Sequence, residues 1–200
     1  PYHSLSAQGG NPLLVNLEAL AEEGWPDRIP DPEPGESGRA YRFRCLETAH
    51  AGFRERARPE DRQSLADFVR EEADWLEDYA LFVALWEERA EPWWQWPQPL
   101  RDREPEALEG ARERLGEAVH RQQFFQWLFF RQWQRLKAHA NGRGILLFGD
   151  MPIFVALDSA EVWAHRELFA LGPDGQPETV AGVPPDYFSE TGQYWGNPHF

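Results

Sequence analysis

The chain has 200 residues, 42% of them hydrophobic, enough to bury a substantial core and too apolar for a disordered segment. Its 34 acidic residues against 20 basic ones give a formal charge of -14, which repels polyanions and excludes a general attraction to nucleic acid or to anionic membranes. The single cysteine, Cys45, excludes an internal disulfide, and no run approaches the ~18 apolar residues of a membrane helix, so a cytoplasmic setting is expected.

Residues 1 to 12 carry turn chemistry, with Gly9-Gly10-Asn11-Pro12 marking a loop. The amphipathic stretch Leu13 to Glu23 predicts a short helix that Gly24 stops. From Pro26 to Gly38 the text PDRIPDPEPGESG is too rich in Pro, Gly and acid for regular structure and reads as an exposed connection. Residues 40 to 90 show helical spacing and predict two or three packed helices. Trp75, Leu76, Tyr79, Phe82 and Val83 fill one face, and Asp67, Glu71 and Glu72 lie outside.

Pro92-Trp93-Trp94-Gln95-Trp96-Pro97 interrupts these helices, and its tryptophans read as pins holding a loop to a helical layer. Helix resumes near Pro105, which suits a first turn, and is expected to run far. Between Glu117 and Ala140 the apolar side chains cover more than half the circumference, which predicts a largely buried helix. Asn141-Gly142 supplies a left-handed stop. Ile145-Leu146-Leu147-Phe148 then reads as a central parallel strand, apolar on both faces, with Asp150 at its carboxyl end. Such a strand belongs to an α/β protein, and the carboxyl ends of barrel strands are where active sites are built. Asp158 or Ser159 caps a helix that carries Glu161 in its first turn. His120, His139 and His165 show no metal-ligand spacing backed by further ligands.

The stretch Ala181 to Pro198, AGVPPDYFSETGQYWGNP, combines prolines that fix φ with flat rings at Tyr187, Phe188 and Trp195 and hydrogen-bonding groups at Asp186, Gln193 and Asn197. A pyranose offers an apolar C–H face and a rim of hydroxyls, so this mixture suits a sugar. The same composition suits a surface loop packed by its own aromatics, and composition alone leaves both open. The absence of a start Met or leader, with PYHS and WGNP standing at the two ends, leads us to expect an internal segment of a longer protein.

Three motifs decide the matter. GDMPIFVALDSAEVWAHRELF (Gly149 to Phe169), GVPPDYFSETGQYWGNP (Gly182 to Pro198) and the opening PYHSLSAQGGNP resemble the signatures of the amylomaltase family of 4-α-glucanotransferases. The WLEDYALFVAL stretch (Trp75 to Leu85) adds to the resemblance, which is weak across residues 25 to 60 and 88 to 115. It implies an α/β fold, here an incomplete (β/α)8 TIM barrel related to α-amylases with a mainly helical insertion. On that reading residues 1–38 are a barrel segment and connecting loop, 39–112 the insertion, and 113–200 a barrel helix, the central strand and a loop over the substrate.

The resemblance also implies transfer of α-1,4-glucan segments between malto-oligosaccharides, glucose serving as an acceptor, with neither metal nor organic cofactor. The mechanism would be a retaining double displacement by an Asp nucleophile and a Glu acid/base. Those carboxylates are expected beyond Phe200, so the 200 residues alone are expected to be inactive. By the resemblance, Tyr2 stacks on the sugar at the cleavage point and Asp150 holds sugar hydroxyls and neighbouring catalytic groups. Asp186, Tyr187, Phe188, Gln193 and Trp195 belong to a mobile loop lying over the glucan. The rival readings are a noncatalytic glucan-binding protein and a hydrolase on the same barrel.

Overall fold

The structure, a computed structural model, describes residues 4–149 and 152–200. The chain divides into two compact units, one from Gly10–Leu76 and His120–Phe148, the other from Pro1–Gly9, Glu77–Val119 and Gly149–Phe200.

In the first of these, the run Leu13 to Glu23 is cut in two by Asn16. Its Oδ1 accepts the N–H groups of Glu18 (3.0 Å) and Ala19 (3.3 Å), so a 3-10 turn over Pro12–Leu14 precedes a fresh helix, α1, at Leu17–Glu22. Gly24 ends α1 as expected: at φ 86 it lets Trp25 N–H reach Leu20 O at 2.9 Å while its own N–H meets Ala21 O at 3.0 Å. Residues 27–37 form no regular element. Arg44 ties this connection down through Glu36 (2.6 Å) and Asp31 O (3.0 Å). Ser37 caps α2 (Gly38–Arg56), and α3 (Pro59–Glu71), the first residues of α4 (Ala73–Arg89) and, from His120 on, the long α7 (Gly116–Asn141) follow.

The core of this unit is aromatic. Trp25 meets Phe53 edge-on at 5.0 Å, Phe53 meets Phe124 at 4.9 Å, and Trp127, Leu46, Ala49 and Leu65 close around them. Arg131 covers the cluster, its guanidinium 5.0 Å from the Trp127 ring and 2.6 Å from Glu23. The expectation of a largely buried α7 holds for Phe124–Leu128 and fails further on, where Trp133 and Leu136 are 40% and 56% exposed. Length is the reason: at 26 residues α7 runs about 39 Å, roughly twice the 13-residue α3 beside it. The left-handed residue that stops α7 is Gly144 (φ 75) and not Gly142, and it allows Ile145 N–H to reach Ala140 O at 3.0 Å.

The expected central strand is not formed. Residues 145–149 have no ladder partner, Leu146 is 86% exposed, and Phe148 is fully exposed. A strand exists only by exchanging hydrogen bonds with a neighbour, and among the described residues the one sheet is a two-stranded antiparallel hairpin elsewhere in the sequence. The described chain is therefore helix-rich with a small sheet.

The second unit holds the Glu77–Arg89 part of α4, a 3-10 turn at Trp93–Gln95, α5 (Gln98–Arg101), α6 (Pro105–Arg114), α8 (Ala160–Ala164) and the hairpin of β1 (Val180–Val183) and β2 (Gln193–Pro198). Pro105 opens α6 as expected, but that helix stops at Arg114 and a new one begins at Gly116. The tryptophans pin the loops. Buried Trp93 donates from Nε1 to Leu157 O (2.7 Å), and Trp163 donates to Leu100 O (3.1 Å) while packing on Phe82 and Trp96. Asp158 accepts from Trp86 Nε1 at 3.1 Å, and burial pushes its carboxyl above the ordinary range. Ser159 caps α8 by accepting from Val162 N–H.

Phe124 is fully buried among Trp25, Phe53 and Trp127. Phe124→Ala should therefore lower the unfolding free energy of the intact protein by about 3–5 kcal/mol in urea titration. A loss under about 1 kcal/mol would mean that this cluster does not carry the unit. Asp102 supplies a pH test. Hydrogen bonding from Arg101, then from Arg166, lowers its carboxyl to about 2 against the opposing effect of burial. A carboxyl that titrates lower in the folded chain stabilises it above the unfolded pKa, about 4, and loses that contribution as pH falls toward the folded value. Asp102→Asn should flatten the decline of stability between about pH 4 and pH 2. An unchanged acid limb would show that the Arg101–Asp102–Arg166 cluster contributes nothing.

Candidate functional site

The sequence reading of residues 181–198 as one loop misses its frame. β1 and β2 pair antiparallel, with Gly182 opposite Tyr194 and Val183 opposite Gln193, and the register shifts between Val180 and Gly182. Close approach requires glycine at two points. A Cβ on Gly182 would lie 2.8 Å from Gln193 O, and one on Gly192 (φ 75) would lie 2.5 Å from Val183 O. The connecting turn is held from within. Asp186 Oδ1 accepts the N–H groups of Phe188 (2.9 Å) and Ser189 (2.8 Å), and Asp186 N–H donates to Ser189 O at 2.9 Å. Ser189 Oγ donates to Gly192 O at 2.7 Å and closes the turn.

With its backbone satisfied internally, the turn projects two rings into solvent. Tyr187 is 97% and Phe188 89% exposed, and they meet edge to face at 5.7 Å. On β2, Gln193 and Trp195 are two residues apart and share a face, with Trp195 Nε1 donating to Gln193 Oε1 at 3.0 Å. Trp195 also meets Phe154 edge-on at 6.0 Å, and Phe154 stacks on His199. The base of β2 is anchored where Asn197 Nδ2 donates to Val155 O at 2.9 Å.

Of the residues expected in the site, the structure brings Asp186, Tyr187, Phe188, Gln193 and Trp195 together on this hairpin; Tyr2 and Asp150 lie outside the described residues. Phe154, Ser189 and the exposed ring of Tyr194 were not foreseen. The signal for the hairpin was two short β-prone runs, Val180–Val183 and Gln193–Trp195, around a Pro- and Gly-bearing turn. That turn is longer than the two to five residues by which hairpins are ordinarily read. Chemically, the hairpin offers aromatic faces of different inclination next to a side-chain amide. Such a surface takes a ligand with apolar faces and hydroxyl edges better than one carrying charge.

The family model described as 4-alpha-glucanotransferase matches residues 1–200. A 4-alpha-glucanotransferase of Thermus thermophilus is 54% identical over 206 residues, and one of Synechocystis is 46% identical over 209, each alignment covering 99% of this chain. The chain spans 41% of the length of each of those relatives. Among solved structures, an amylomaltase from Streptococcus agalactiae in complex with acarbose superposes with a TM-score of 0.87 at 39% identity, over 99% of this chain and 42% of that one. By the family match over its whole length, the chain belongs to the 4-alpha-glucanotransferase family.

Proposed function

We propose that the intact protein is a 4-α-glucanotransferase that moves α-1,4-glucan segments between malto-oligosaccharides by retaining double displacement, and that hairpin β1–β2 lies against the bound glucan. The observation that carries the reading is the pair Tyr187 and Phe188, almost wholly exposed on a turn whose backbone Asp186 and Ser189 hold fixed. Exposed rings on a braced turn lose little entropy when a sugar stacks on them. Trp195, on the same hairpin, adds a third ring beside the amide of Gln193. Tyr187 and Phe188 serve the acceptor side, and Gln193 and Trp195 reach the substrate. Asp186 acts first on the turn, because one of its oxygens is committed to two backbone amides.

The fold reading extends in the same way. The bare apolar run 145–148, followed by Asp150, has the composition of a barrel strand whose neighbours come from sequence outside these 200 residues. Residues 39–112 are the helical insertion of that barrel. The nucleophile and the acid/base also come from outside, so these 200 residues alone carry substrate contacts and no turnover. Tyr2 stacks at the cleavage point, and Asp150 binds sugar hydroxyls next to the catalytic groups. Water competes with the glucan acceptor for the glycosyl-enzyme, and a ring-lined hairpin favours the glucan by giving it surface to stack on.

Incubating the intact protein with maltotriose should release glucose together with a ladder of longer oligomers at constant reducing ends. Rising reducing ends with glucose and maltose would mean a hydrolase, and unchanged sugar would mean a binding protein. Trp195→Ala and Tyr187→Ala should each raise the hydrolysed share about two- to tenfold, the equivalent of one lost stacking contact. A ratio unchanged in both variants would remove these rings from the acceptor path. Asp186→Ala should speed hydrogen exchange at the Phe188 and Ser189 amides, whereas Asp186→Asn, which keeps an acceptor oxygen, should leave it nearly as slow. Equal exchange in the two variants would show that Asp186 does not brace the turn.

A further inference from the structure

We infer that Tyr194, on the face of β2 opposite Trp195, is an outlying platform for one sugar residue of a long α-1,4-glucan. The inference rests on the reading of this hairpin as the part of the chain that meets glucan. Successive residues of a strand point to opposite faces, so Tyr194 stands between Gln193 and Trp195 in sequence and on the other side of β2 from both. It is 81% exposed. The positions that would flank it carry no side chain. Gly182 lies directly opposite on β1, and Gly192 and Gly196 lie two residues to either side along the chain. Gly196 also gives the ring its rest. At φ 77 it comes so close that a Cβ there would stand 3.2 Å from Tyr194 Cε1 and 3.7 Å from Cζ, so the ring leans along β2 against bare backbone where a side chain would have displaced it.

What such a ring can hold follows from its size and surroundings. A protein surface that docks stably needs on the order of 1,000 Å² with an apolar centre, and here the flanking positions are glycines. A single pyranose needs one ring face, with its hydroxyls left in water around it. The phenol hydroxyl adds a donor and an acceptor for those hydroxyls. The formal charge of -14 does not act against a neutral sugar. Continuity sets the length of the ligand. On the proposed function Tyr187, Phe188 and Trp195 meet glucan, and among the described residues β2 pairs on one edge only, with β1. An α-1,4-linked chain curves at each linkage and can follow the unpaired edge of β2. A long chain lying against Trp195 thus continues to Tyr194, whereas a short one ends before it. The contact is an affinity for chain length, separate from the bond that is cleaved.

The test uses the intact protein, with initial transfer rates measured from maltotriose and from maltoheptaose. Tyr194→Ala should raise KM for maltoheptaose about two- to tenfold, the equivalent of one stacking contact, and leave its kcat and both constants for maltotriose as in the parent. Tyr194→Phe keeps the ring and should match the parent to within about twofold. An equal change on both sugars, or none on either, would overturn the platform and leave the transferase reading standing. A second arm needs no variant. In the intact parent, a pulse of tetranitromethane too short for the sugars to be redistributed should nitrate Tyr194, and maltoheptaose should slow that nitration while maltotriose does not. Tyr187, in the same hairpin and 97% exposed, is the control, since both sugars should slow its nitration. A Tyr194 that resists nitration without sugar is covered by another part of the chain, and equal nitration with and without maltoheptaose means no contact; either result would overturn the platform alone. A parent that transfers nothing, or a Tyr187 that neither sugar protects, would overturn the reading of the hairpin and the platform with it.

Discussion

A buried indole needs an acceptor for its one N–H, and the unit that carries the hairpin is organised around meeting that demand. Trp93 is sealed from solvent and finds Leu157 O at 2.7 Å; Trp163 is sealed and finds Leu100 O; Trp86 finds the carboxylate of Asp158. Leaving such a donor unmet costs about 1–3 kcal/mol, so each indole fixes the segment that supplies its acceptor, a loop for Trp93 and Trp86 and the short helix α5 for Trp163. Segment 155–158 has no regular structure of its own, yet three of its residues are bonded in this way. Leu157 and Asp158 serve the indoles, and Val155 O serves Asn197 at the foot of β2. Arg166 adds a second tie by reaching Asp102 at 2.8 Å while lying over the Trp93 ring.

On that base, the hairpin separates two requirements that one residue cannot meet together. Side chains that satisfy backbone groups must turn inward, and those that meet a sugar must turn outward. Asp186 and Ser189 turn inward to the backbone, and Tyr187 and Phe188 turn outward, as the proposed sugar contact requires. The glycines make the division possible, because only a residue without Cβ fits at 182 and 192, where the strands close on each other. Exposing two aromatic rings gives up roughly 1.5–3 kcal/mol of burial for each.

Much of the local structure was legible because it depends on neighbours in sequence. Gly24 ends α1, Ser159, one of two candidate caps, caps α8, Pro105 opens α6, and the helices over residues 40 to 90, expected as two or three, are three. What was misread depends on distant partners or on competition between near ones. Asn16 broke a helix that apolar spacing would have continued, since its side chain offered Glu18 and Ala19 a better start. The run 145–148 has the composition of a central strand, but composition cannot supply the strands on either side. At the site, the rings were visible as residues, whereas their exposure and the role of Asp186 came only from the turn that folds between them. Glu161 was read as a helix-start acid, and nothing local in the sequence could show Ser6, 155 positions away, as its partner.

The charge pattern completes the account. A net charge of -14 is hard to reconcile with a ligand that carries phosphate or carboxylate, and several arginines are engaged in ion pairs and on ring faces. Arg131 is spent on Glu23 and two indole faces, Arg103 on Asp78 and the Trp163 ring, and Arg114 on Glu88. These three side chains thus brace helices and rings, and the net field of the 200 residues stays negative. A neutral, hydroxyl-rich polymer is indifferent to that field and responds to ring faces and amides, which are what the hairpin presents. On the proposed function, a phosphorylated sugar would meet the same rings through an unfavourable potential, whereas a neutral glucan would not.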